Sequence, residues 1–266
     1  MVRVNYLQGL ANNLFQYCFG RILSVKLNCA LNTDPIPGFE NTASYGRLSN
    51  HENLEYITGH VVDVNKVINN KSKRLIVVNG YFQRYEYFKP FKDLIRQDWL
   101  YLPNQFQFGE NDITVHIRSG DIWQANNSGH IHRGYPALPY SFYRNILDSK
   151  KWDNIFIVTE FPDEPMVHKL VEQFSAQVQN GNMLEDFNFI KSSKNIVMSV
   201  STFSWWAAWL SDAREIYFPV TGLFDRARRP DVNLLPDDDS RYHFIRLPMK
   251  DHWYGTEAER QHLLNS

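Results

Sequence analysis

The chain has 266 residues, of which 43% are apolar and 21% charged, and a formal net charge of −1. That length can build one large domain or two small ones, and the balance excludes a disordered chain, a basic nucleic-acid binder and an acidic solvating tail. Two cysteines, Cys18 and Cys29, are too few for a disulfide framework and point to a reducing compartment.

Met1 leads directly into strand-like residues Val2 to Leu7, without the pattern of a signal peptide, and no apolar run approaches the ~20 residues that cross a bilayer. The expectation is a cytoplasmic chain with no transmembrane segment, peripheral to a membrane at most. Gly9 is a hinge before Leu10, Leu14, Phe15, Cys18, Ile22 and Val25, which recur at helical spacing. Residues 32–50 read as loop. Leu75 to Asn79 is a short buried strand that runs into Gly80-Tyr81-Phe82-Gln83. A helical pattern from about Phe88 to Trp99 then stops at Pro103 and Asn104. The break places the domain boundary between Asn104 and Glu110, giving a first domain of residues 1–108 and a second of 109–266. The C-terminal segment is free to pack back on the first.

In the second domain, Asp112 to Ser119 alternates Ile113, Val115 and Ile117 with Thr114, His116 and Arg118, as a buried strand does. A polar, Gly- and Pro-punctuated loop follows over 122–139, long enough to suggest function. Next come a helix over Ser141 to Leu147, a strand over Asn154 to Thr159, a helix over Pro162 to Phe174 and a helical turn at Asp186 to Ile190. A strand over Asn195 to Val200 runs into a helix capped by Ser201 to Ser204, which continues through Leu210. Glu215 to Pro219 reads as the last strand. Such alternation of strands and helices predicts a doubly wound α/β protein built on parallel sheets.

Two segments carry chemistry. Arg118, at the carboxyl end of its strand before a Gly-containing turn, sits where α/β sheets bind ligands and can grip a phosphate through its planar fork. An ion pair with a nearby carboxylate is the plainer alternative. Ser201, Thr202 and Ser204 stand where a buried strand enters a helix, and such an N-terminus binds anions. Capping alone accounts for one of the three hydroxyls. The aromatic content of 15%, with seven tryptophans, offers stacking faces for sugars but chiefly serves the core. Asp237-Asp238-Asp239 has the look of a metal motif, yet it follows Pro236 in a polar turn and reads better as a solvated loop.

Four segments together resemble the α-1,2-fucosyltransferase family. Val115-His-Ile-Arg-Ser-Gly-Asp121 is similar to its HIRRGD motif, and Ser201-Thr-Phe-Ser-Trp-Trp-Ala-Ala-Trp-Leu210 to its SSFSWWGAWL segment. Gly9-Leu-Ala-Asn-Asn-Leu-Phe-Gln-Tyr17 is similar to GLGNQMFQY, and Gly80-Tyr-Phe-Gln83 to GYFQ. The resemblance implies two facing Rossmann-like domains of GT-B architecture. It also implies a GDP-fucose donor as substrate with no separate cofactor, a glycan acceptor, metal-independent transfer and inversion at the anomeric carbon.

Carried over by position, Arg118 binds the donor diphosphate with Ser201, Thr202 and Ser204, and His116 lies beside the nucleotide. Asp186 matches an acidic position of the family and is assigned to guanine, whose N1–H and N2–H can both donate to one carboxylate; helix capping is its bland alternative. Asp121 and His132 are the candidates to take the acceptor proton, with His130 nearby. On the acceptor side, Asn12, Asn13, Gln16, Tyr81 and Gln83 offer polar contacts. The sequence departs from the family at Ala11, Ser119 and Val200. These departures keep two rivals open, a relative using a xylosyl or rhamnosyl nucleotide and a non-catalytic glycan- or nucleotide-binding module.

Overall fold

The computed structural model describes residues 1–7, 9–46, 53–72, 74–118, 134–248 and 253–266. The chain forms two compact units, Met1–Pro103 with Pro230–Leu235, and Asn104–Arg229 with Pro236–Ser266.

In the first unit, β1 (Val2–Val4) enters α1 (Leu10–Lys26), whose Leu14, Phe15, Cys18, Phe19 and Ile22 are buried. Val25, one turn on, is half exposed. Then follow β2 (Leu31–Thr33), β3 (Ser44–Tyr45), β4 (Leu54–Ile57), α2 (Val64–Asn69) and β5 (Leu75–Val78). The sheet order is β3-β2-β1-β5-β4, parallel except for the β2–β3 pair. The helical stretch after β5 starts at α3 (Tyr85–Phe88) and is broken. Pro90, which has no N–H to donate, tightens the chain into a 3-10 turn before α4 (Lys92–Leu94) and a π-turn at Ile95–Trp99.

The second unit carries β6 (Ile113–His116), α5 (Tyr140–Leu147), β7 (Ile155–Val158), α6 (Pro165–Phe174), β8 (Gln177–Gln179) and α7 (Met183–Ser192). After these come β9 (Asn195–Val197), α8 (Thr202–Leu210), β10 (Glu215–Val220), β11 (Tyr242–Arg246) and α9 (Glu257–Asn265). Its sheet order is β11-β10-β9-β6-β7-β8, and every pair is parallel. In order of appearance that is the doubly wound arrangement 3-2-1-4-5-6, as the alternation of elements predicts. Trp205, Trp206 and Trp209 on α8 are fully buried and pack on one another, so they belong to the core.

Several elements depart from the sequence reading. The loop over 32–50 contains β2's end and β3, and β10 is followed by a further strand, β11. The strands β4 and β8 and the helices α2 and α9 went unpredicted. β4 and β8 are sheet edges, and Gln177-Val178-Gln179 offers no apolar alternation to read. In α9 only Leu263 and Leu264 are buried. This C-terminal helix stays in the second unit, where the Ser266 carbonyl accepts from Ser141 N and the Leu264 carbonyl from Lys169 Nζ. The return to the first unit is made instead by Pro230–Leu235. There Asn233 N donates to the Gln83 carbonyl, Tyr85 N to the Asn233 carbonyl, and Arg84 Nη1 to the Pro230 and Asp231 carbonyls.

Candidate functional site

In the second unit, the chain leaves β6 towards β7 on one side of the sheet and leaves β9 towards β10 on the other. The carboxyl ends of β6 and β9 therefore flank the switch in strand order, where open α/β sheets leave a crevice for ligands. Arg118 lies two residues beyond β6, partly exposed, with its Cζ over the Tyr135 ring, 4.3 Å from the centroid.

His116 ends β6 and is buried, its Nδ1 2.7 Å from Ser199 Oγ and its ring 5.6 Å from that of Phe203. Burial, reinforced by the Arg118 charge, lowers its pKa from 6.5 to about 3, so the imidazole is neutral throughout the physiological range. A neutral, buried ring bonded to Ser199 ties β6 to the chain after β9. That is a scaffolding role.

Ser201 caps α8, its Oγ accepting from Phe203 N at 3.2 Å. Ser204 is fully buried, and its hydroxyl donates to the Ser199 and Ser201 carbonyls at 3.3 and 3.2 Å. Two of the three hydroxyls thus build the turn. What they present is the helix N-terminus itself, with Thr202 as the hydroxyl not taken up in that turn.

Asp186 lies one residue past the capping box of α7, which is made by Asn182 and Glu185. Capping therefore does not explain it. Its carboxyl is buried against Gly181 with no hydrogen bond to Oδ1. Burial first, helped by the negative charges of Glu185 and Glu160 and opposed by the Gly181 N–H, raises its pKa from 3.8 to about 6. A buried carboxylate with an unmet acceptor is costly unless a ligand meets it. Phe187, next along α7, packs on Phe203, which in turn packs on His116. These ring contacts join the β6 end of the unit to α7.

In the first unit the motif residues gather where β1 and β5 end. Gln16 is fully buried, its Oε1 accepting from Leu7 N and its Nε2 donating to the Gly80 carbonyl, both at 2.9 Å. It staples the two loops together, which gives it a structural role. Gly80 is required there, since an added Cβ would lie 2.6 Å from both N and O of Gly59. Phe82 sits at φ +51, held by its stack on Phe19 at 4.1 Å. It delivers Gln83 into a buried position, where Nε2 donates to Asn12 Oδ1 at 3.0 Å and N to His60 Nδ1 at 3.3 Å. Gln83 thus orients Asn12. Asn13 Oδ1 is buried without a hydrogen bond and is the acceptor atom there most in want of a donor.

Ser119, Asp121, His130 and His132 lie outside the described residues. Asp237 and Asp239 pair with Arg226 and Arg241, in keeping with the solvated-loop reading. Among the described residues no group of His, Cys, Asp and Glu is arranged to hold a metal ion, and no helix is long and apolar enough to cross a membrane. Tyr135 escaped sequence reasoning, because it lies in an irregular loop with no periodicity to mark it.

The model of glycosyl transferase family 11 matches residues 47–233. No curated protein sequence matches the chain. Among solved structures, the chain is similar to a mutant of Arabidopsis thaliana FUT1 in complex with GDP, at 11% identity and a TM-score of 0.49, covering 82% of this chain and 70% of that one. It is also similar to POFUT1 in complex with GDP-fucose, at 9% identity and a TM-score of 0.45, covering 80% of this chain and 93% of that one.

Proposed function

This chain belongs to glycosyl transferase family 11, the α-1,2-fucosyltransferase family, and is a glycosyltransferase; we propose that it moves L-fucose from GDP-fucose to a hydroxyl of a glycan acceptor with inversion. The observation that carries the reading is Arg118, beside the strand-order switch of a doubly wound sheet, with the N-terminus of α8 on the neighbouring strand. In one displacement the acceptor oxygen bonds to the anomeric carbon as the bond from that carbon to the β-phosphate oxygen breaks. GDP leaves with added negative charge, which Arg118 and the first-turn amides of α8 neutralise. The acceptor proton passes to Asp121 or His132. No separate cofactor is assigned, since the nucleotide sugar is a substrate.

Guanine falls to Asp186, whose unmet Oδ1 supports a partner that donates two N–H groups side by side. Uracil presents one N–H between two carbonyls, which a carboxylate repels. On the acceptor side Asn12 and Asn13 make the polar contacts, with Gln16 and Gln83 holding the loops that carry them.

Calorimetric titration of GDP and UDP with EDTA present tests the reading. GDP is expected to bind and UDP not to, and Arg118→Ala is expected to abolish GDP binding and to lower turnover by roughly 10²–10³-fold. Preference for UDP would move the donor to another nucleotide sugar. Binding of neither would favour a non-catalytic module.

A further inference from the structure

We propose that Tyr135 is a positioning residue for Arg118, holding its guanidinium in the plane needed to meet the donor diphosphate; this rests on the assignment of Arg118 to that group. Arg118 Cζ lies over the face of the Tyr135 ring, 4.3 Å from its centroid. A cation–π contact is made through the charge over the ring and takes up none of the five N–H donors, which lie in the guanidinium plane. An arginine side chain otherwise loses rotamer freedom when it binds, and a ring that fixes it beforehand removes part of that loss.

The structure also shows what fixes the ring. The residues flanking Tyr135 rest on the turn after β10, where the Gly134 carbonyl accepts from Leu223 N at 2.6 Å. Gly222 in that turn has φ +55, and a Cβ added there would run into Pro136 Cδ and lie 2.7 Å from the Gly134 carbonyl oxygen. Gly222 therefore forms a seat for residues 134–136, and the seat sets the height of the ring beneath Arg118. No local pattern marks this relay, because positions 118 and 135 stand at opposite ends of the β6–α5 connection and 222 follows β10.

The experiment compares GDP binding by calorimetry in Tyr135→Phe, Tyr135→Leu and Gly222→Ala, with thermal unfolding recorded for each. Tyr135→Phe keeps the ring and is expected to bind like the parent. Tyr135→Leu keeps much of the volume but loses the ring, and is expected to bind GDP about 3- to 30-fold more weakly with unchanged unfolding. Gly222→Ala is expected to weaken binding in the same direction, since it displaces residues 134–136 without altering any side chain of the site. In an Arg118→Lys background, which keeps charge but loses the planar guanidinium, Tyr135→Leu is expected to add little.

Unchanged GDP binding in Tyr135→Leu would overturn the inference while leaving Arg118 as the diphosphate ligand. A loss in Tyr135→Phe equal to that in Tyr135→Leu would overturn it too, by placing the effect in the hydroxyl. A full Tyr135→Leu effect in the Arg118→Lys background would mean that the ring touches the nucleotide itself. If Arg118→Ala binds GDP normally, the function assigned to Arg118 falls, and this inference with it.

Discussion

Asp186→Asn should stabilise the ligand-free protein while destroying its nucleotide binding. The side chain is buried, its Oδ1 lacks a hydrogen bond, and its carboxyl titrates near pH 6 instead of 3.8. The folded state therefore holds this proton more tightly than the unfolded one. Between pH ~4 and ~6 the folded chain binds more protons, so this contribution to stability is full below pH 4 and is lost as pH rises through 6. The displacement corresponds to ~3 kcal/mol, and solvent reaching the site reduces that to about 1–3 kcal/mol. An amide has no charge to desolvate. Urea unfolding of the ligand-free protein at pH 8 should thus show Asp186→Asn more stable by that amount, or about 2–10 °C in Tm, with no difference at pH 4.

GDP should bind the variant at least 10²-fold more weakly, because an amide cannot accept both guanine donors as a carboxylate does. In the parent, GDP affinity should weaken as pH falls below 6, about tenfold per pH unit, and this slope should vanish in the variant. Loss of stability at pH 8, or unchanged GDP affinity, would show that the carboxylate is satisfied within the fold and reads no base.

Gln16→Leu should orphan Leu7 N–H and the Gly80 carbonyl and cost ~2–4 kcal/mol. Because that staple lies in the first unit, calorimetric GDP binding should be retained, and parent-like urea stability would refute the structural assignment. For His116, the pKa lowered to about 3 means that the unfolded chain binds the extra proton first on acidification. Stability from this group should fall between pH ~6.5 and ~3, by up to ~5 kcal/mol. His116→Asn should flatten that acid limb in unfolding curves measured from pH 7 to 4, and an unchanged slope would rule out a buried neutral ring.

Sequence by itself determined the class of the fold and where its strand-to-helix turns fall. Strands with continuous apolar runs, such as Leu75–Val78 and Ile155–Val158, suit a sheet covered on both faces, and their alternation with helices makes the sheet parallel. The strand-to-helix turns at Gly9, Gly80, Arg118 and Ser201 were legible because ligand sites of such sheets occupy those turns. Edge strands β4 and β8 were not, since half their backbone faces away from the sheet and demands little of the side chains.

Only tertiary structure decided which polar side chains are available. From sequence, Gln16, Ser204 and His116 were as good a set of ligand contacts as Asn13, Thr202 and Arg118. The fold consumes the first three in bonds to Gly80, to the Ser199 carbonyl and to the Ser199 hydroxyl. It also seats Tyr135 against Arg118 by way of Gly222. Except for Ser204, five residues from its partner, these partnerships join residues far apart in the chain, and local pattern carries no information about them.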